Sequence, residues 1–162
     1  MRVRTCVFCN ELSRDEGIFA ETSLWSARWD KFPATPGHAE IIPKRHVQYF
    51  DDLTDDERDT LLRFTKQVKA QVSQTDLESL YGSMLERANT ISRPFLKRAL
   101  SAVKRRPGAP DAFNLGLNDG PDAGQSVHHF HLHLMPRWHG DTRHLRGGVR
   151  NLFARDAYKD IE

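Results

Sequence analysis

Val127-His128-His129-Phe130-His131-Leu132-His133-Leu134 is the stretch on which the reading of this chain turns. Four of the eight histidines fall within the six positions 128–133. From Val127 onward the stretch alternates strictly, and a period of two is the signature of a β-strand with one face in the core. His129, His131 and His133 then share one face. Phe130, Leu132 and Leu134 take the other, with His128 on the core-side parity at the rim. Neighbours on the histidine face stand roughly 6.5–7 Å apart at Cα, close enough for their rings to serve one phosphate-sized group.

Residues 112–118 read as a second strand, joined to the histidine strand as a hairpin by the polar loop Asp119-Gly120-Pro121-Asp122-Ala123-Gly124. Two short strands are expected between Gly17 and Trp29, meeting near 21–23, and another over 39–42, stopped by Pro43. Thr54 with Glu57 three residues on forms a capping box, and Leu61, Phe64, Val68 and Val72 follow at helical spacing. Residues 74–106 read as a helical insertion, with Ser92 as a cap and six Lys/Arg but no acid from Arg93 to Arg106. Strands, then a helix, then strands favour α+β over an alternating α/β fold.

The chain has 162 residues, which is one domain's worth (1–162), and 38% hydrophobic residues. A net charge of +2 is too balanced to imply nucleic-acid binding on its own. No stretch reaches the roughly 18 apolar residues of a membrane span, and Met1 to Cys6 holds no apolar leader. With only two cysteines there is no disulfide framework, so a cytoplasmic protein is expected.

Imidazole explains why three histidines on one face suit chemistry. A largely neutral ring can attack phosphorus, and a protonated neighbour can hold the developing negative charge. A metal-binding or merely polar sheet face is the plainer alternative, and strict alternation behind Gly124-Gln125-Ser126 favours a reactive site.

The run from Gly124 to Met135 resembles the histidine-triad (HIT) nucleotide hydrolases and transferases. The resemblance extends to Asn118-Asp119-Gly120-Pro121-Asp122-Ala123, to Pro36-Gly37-His38 and to Ile42-Pro43-Lys44-Arg45-His46. Pro136 to Asp141 and Arg146-Gly147-Gly148-Val149-Arg150 are similar to bacterial members of the dinucleoside-polyphosphate hydrolase type. This resemblance implies a HIT-like fold: about five antiparallel strands with one main packed helix, here carrying the insertion at about 74–106. It implies that His131 attacks the α-phosphorus of a nucleotide, adenosine nucleotides above all, and that water hydrolyses the covalent intermediate. His133 and His129 position the nucleophile and the phosphate. Gln125, Ser126 and Asn118 match phosphate-side positions, and Asp30 matches a ribose-binding carboxylate. A homodimer is the family's usual form.

Cys6-x-x-Cys9 has the spacing of half a zinc site, and equally of buried thiols or a redox pair. The resemblance completes a structural zinc site with His46 and His129, and implies no catalytic cofactor. Two other functions stay open: transfer of the nucleotidyl group to phosphate or a sugar phosphate, and a nucleotide- or RNA-binding regulator without turnover. The basic insertion would serve the latter, and Arg137, Arg143, Arg146 and Arg150 could recognise phosphate or lie in solvent.

Overall fold

In the computed structural model, residues 5–142 are described, so Arg143, Arg146 and Arg150 lie outside the described residues. Five strands form one antiparallel sheet: β1 (Ile18–Glu21), β2 (Trp25–Trp29), β3 (Ala39–Pro43), β4 (Ala112–Leu117) and β5 (Leu132–Arg137), in the order β1-β2-β3-β5-β4. With the helices α1 (Val7–Leu12), α2 (Asp55–Gln74), α3 (Leu77–Glu86) and α4 (Arg93–Arg105), this is the expected α+β class, and β4 pairs with β5 as the expected hairpin. None of the described helices is long and apolar enough to cross a membrane.

Thr54 starts α2 as its spacing predicts. Its hydroxyl accepts from the Glu57 amide, and the Glu57 carboxylate accepts from the Thr54 amide at 2.8 Å. The stripe Leu61, Phe64, Val68 and Val72 then packs on one sheet face, against Trp25, Ala27, Ile41 and Leu134. Trp25 and Trp29 belong to this core, the latter stacked on Phe19 at 4.0 Å.

The opposite sheet face is covered by α1, which the sequence does not announce. Its six residues are too few for a periodic signal, and its first turn has no side-chain cap. Phe8 and both cysteines pack there on Ile42.

The histidine strand starts later than alternation predicts, at Leu132 rather than Val127. Extending the β3–β5 register would set Phe130 opposite Pro43, which has no N–H to donate. The chain departs from the ladder there: the His129 amide turns back to the Val127 carbonyl (2.8 Å) and the Phe130 amide reaches the Val47 carbonyl (2.7 Å). Phe130 still enters the core.

The helices α3 and α4 pack together around Trp138, at the end of the sheet where β2 and β5 finish and β3 begins. Ser92 stands at the N-cap of α4 as expected, but with helical backbone angles and no capping bond from its side chain; its amide donates to the Asn89 side chain (2.8 Å). From α3 the Tyr81 hydroxyl accepts from the Gly37 amide at 2.7 Å. Gly37 has φ +72°, and a Cβ there would stand 3.2–3.3 Å from Pro136, Leu77 and Val72 side chains. Gly37→Ala is expected to cost about 2 kcal/mol or more in urea unfolding, because strain and close contact add. A midpoint equal to wild type would disprove the clamp.

Candidate active site

The loop before β5 and the strand itself bring His131 and His133 together with ring centroids 4.8 Å apart. His131 is only 3% exposed, with the edge of Phe8 5.1 Å from its ring. Its Nδ1 lies 2.8 Å from the His129 carbonyl. A carbonyl can only accept, so Nδ1 carries the proton and Nε2 keeps a free lone pair.

A second chain of contacts runs through a residue to which spacing alone gives no role. His38 sits at the start of β3. Its Nδ1 is 3.0 Å from the Asp30 carboxylate and its Nε2 is 3.0 Å from His133 Nδ1. The carboxylate places the proton on His38 Nδ1, outweighing the Ala34 amide 3.2 Å from the same nitrogen. His133 then donates from Nδ1 to His38, which leaves its own Nε2 unprotonated. Burial holds the pKa of His38 and His131 below the ordinary imidazole range, and brings that of His133 to about 4. Neutral rings with an unprotonated Nε2 are the state a nucleophile needs.

Beneath the triad, cross-strand register sets Arg28, Glu40 and His133 in one row. Arg28 lies between Glu11 of α1, with which it forms a close ion pair, and Glu40 at 3.6 Å. The ligating atoms of Glu40, His131 and His133 all lie within 4.8 Å of one another. Burial first, and then the charge of Asp30, lift the Glu40 pKa to about 8. A carboxyl that keeps its proton at neutral pH removes a negative charge from beside the His131–His133 pair.

The sign of the linkage follows. The folded pKa of Glu40 is above the unfolded value, so its burial costs stability progressively as pH rises from about 4.5 to 8. Glu40→Gln lacks this titration. Its advantage over wild type in urea unfolding should grow by at least about 1 kcal/mol between pH 5 and pH 9. An unchanged difference across that range would rule the buried acid out.

His129 is fully buried and turned away from this pair. Its Nε2 donates to the Pro43 carbonyl (3.0 Å), and its Nδ1 lies 3.4 Å from Cys6 Sγ and 3.7 Å from Cys9 Sγ. His46 Nδ1 is 3.4 Å from Cys9 Sγ, and all four donor atoms fall within 4.8 Å of one another. Zn–S near 2.3 Å and Zn–N near 2.0–2.1 Å in a tetrahedron require S···N edges of roughly 3.5 Å. These donors match that spacing, and the carbonyl behind His129 fixes its tautomer as a ligand requires. One turn of α1 puts Cys6 and Cys9 on the same side.

The remaining predicted residues lie in the β4–β5 loop or at the end of β2. Gln125 is 5% exposed and bonded at both ends: its amide donates to the Gln48 carbonyl (2.8 Å) and its oxygen accepts from the Gly120 amide (3.2 Å). Ser126 is exposed. Asn118 is partly exposed and reaches the Gly124 carbonyl at 3.5 Å. Asp30 is buried, with its second oxygen accepting from the Phe32 amide at 2.7 Å.

A buried imidazole with an unprotonated Nε2, a carboxylate–imidazole–imidazole chain and a neighbouring Cys₂His₂ cluster on this sheet are the features of a histidine-triad protein. Residues 11–140 match the HIT domain, and the chain belongs to that family. It is 31% identical over 137 residues to the protein named AP-4-A phosphorylase of Mycobacterium tuberculosis, covering 83% of this chain and 54% of that one. It is 30% identical over 124 residues to the protein named asymmetrical bis(5'-nucleosyl)-tetraphosphatase of Schizosaccharomyces pombe, covering 76% and 50%. The chain thus spans about half the length of these two relatives. Among solved structures, a zinc-bound histidine triad family protein of Mycobacterium smegmatis superposes with a TM-score of 0.57 at 25% identity, covering 88% of this chain and 81% of that one.

Proposed function

We propose that this chain cleaves a phosphoanhydride or phosphoramidate bond at a nucleoside α-phosphate by way of a nucleotidyl-histidine. The observation that carries the reading is the bond from His131 Nδ1 to the His129 carbonyl, which leaves Nε2 unprotonated beside His133. Nε2 gives its lone pair to phosphorus as the bond to the leaving group breaks, and the leaving group departs with that electron pair and takes up a proton from solvent. Water then attacks phosphorus from the vacated side and gives up a proton to solvent. The N–P bond breaks, its electrons return to Nε2, and a nucleoside monophosphate is released. His133, held by His38 and Asp30, keeps a second imidazole at the phosphate, and the protonated Glu40 spares it a negative neighbour.

Asp30 orients His38 in this scheme, and a ribose hydroxyl would share the same carboxylate. Gln125 shapes the loop that presents the exposed Ser126 and Asn118 to the phosphate side. Cys6, Cys9, His46 and His129 would hold zinc, which supplies structure and ties α1 to the catalytic loop. A second copy of the chain would pair at the open edge of β4, where Leu115 is 39% exposed. Adenosine nucleotides are the substrates of choice in the proposal, and free thiols suit a cytoplasmic setting.

A relative named as a phosphorylase favours a second reading, in which inorganic phosphate replaces water in the second step. Both are tested by one panel: an adenosine dinucleoside tetraphosphate, a nucleotide sugar and an adenosine phosphoramidate, each with and without added phosphate. Release of AMP whether or not phosphate is present supports hydrolysis. Release of ADP only with phosphate supports the second reading. Inertness toward the whole panel would remove both.

A further inference from the structure

The basic insertion has its own cleft. Of the six Lys/Arg between Arg93 and Arg106, Lys104 pairs with Glu78 at 3.3 Å. Arg98, Arg105 and Arg106 line one cleft of about 330 Å³ and take part in none of the ion pairs among the described residues. Packing and single hydrogen bonds orient them. The Arg98 guanidinium lies over the Phe95 ring at 5.1 Å, Arg105 donates to Ser101 Oγ (2.6 Å), and Arg106 donates to the Gly140 carbonyl (2.8 Å). A guanidinium carries five N–H donors, so each arginine keeps several for a ligand. A fourth arginine in the lining, Arg137, is already used by Asn114 (2.6 Å) and by Asp141 (2.6 Å), the one carboxylate in the cleft.

Two further facts tie the cleft to the reactive site. Met135 and Arg137 follow His133 at alternate positions of β5, so the cleft lies along the same sheet face as that histidine. The loop 33–36, between Asp30 and His38, forms its other wall, and the Thr35 hydroxyl there is buried with no hydrogen-bond partner among the described residues. Pro33, Pro36 and Met135 make that side apolar, which lowers the local dielectric and strengthens attraction by the arginines. Clustered guanidinium donors facing an apolar wall suit a ligand carrying several closely spaced negative oxygens.

We propose that this cleft binds a chain of linked phosphates through Arg98, Arg105 and Arg106. The chain is a free polyphosphate acting as a separate ligand, because the cleft lies at the Arg137 end of β5, opposite the Ser126 and Asn118 loop that takes the phosphates of a reacting nucleotide.

The test is titration of full-length protein with inorganic tripolyphosphate in a calorimeter. Arg98 and Arg105 are exposed, so Arg98→Glu/Arg105→Glu spares the core. The charge-matched control is Arg63→Glu/Lys66→Glu on the solvent face of α2. The cleft variant is expected to weaken binding by about tenfold or more, against less than about twofold for the control. No binding by wild type, or equal weakening in both variants, would overturn the proposal.

The source is read separately: inhibition of turnover by tripolyphosphate that substrate does not relieve is expected. Tripolyphosphate that competes with an adenosine dinucleoside tetraphosphate, with KM raised in the cleft variant, would overturn the separate ligand. Tripolyphosphate binding without turnover of any nucleotide would keep the cleft while removing the proposed reaction.

Discussion

His131→Ala is expected to lower turnover of the best nucleotide substrate by about 10⁴-fold or more, at unchanged folding. The residue is both nucleophile and leaving group for the second step, so removing its ring removes both half-reactions. His131→Asn, closer in shape, should be as inactive, since an amide nitrogen has no lone pair free for phosphorus. His133→Ala should fall less, by about 10²–10³-fold, because it positions the nucleophile without forming a bond. Product release by chromatography checks all three. Equal losses at His131 and His133 would point away from a single nucleophile, and residual turnover above a few per cent in His131→Ala would exclude this one.

The second large effect concerns stability. Purified protein should carry about one zinc per chain, and Cys9→Ser should release it and lower the melting temperature by about 10 °C. Loss of a structural metal site costs several kcal/mol, and each kcal/mol moves the midpoint of a domain near this size by roughly 2–8 °C. His129 is both a donor in this cluster and the carbonyl that holds the His131 tautomer, so turnover should fall with the metal. Metal analysis by mass spectrometry with a parallel thermal melt decides the matter. A metal-free protein that melts and reacts like the rest would refute the structural role.

Alternation carried the histidine strand and period-three-to-four spacing carried α2, whereas β2 and β3 were legible from composition and turn residues and are buried on both faces. Alternation failed only over 127–131, where a proline on the neighbouring strand withholds its amide. That loss is local, and the histidines still gather. His38, Glu40, Arg28 and Tyr81 were less legible for a different reason. Each matters through a partner far off in the chain: Asp30 and His133 for His38, Gly37 for Tyr81, and Arg28 and Glu11 around Glu40. An acidic residue, Glu40, within the apolar run of β3 was the available signal, since a carboxyl between buried neighbours needs an explanation. The insertion, whose role no spacing reveals, clamps the loop that carries His38 and forms the arginine cleft.

The covalent step is tested most directly by stereochemistry at phosphorus. A substrate with a chiral α-phosphorothioate is cleaved in isotopically labelled water, and the configuration of the released nucleoside monophosphorothioate is read. Two successive in-line displacements, first by His131 and then by water, predict overall retention of configuration. Inversion would mean that water attacks the substrate directly, and the nucleotidyl-histidine account would be wrong.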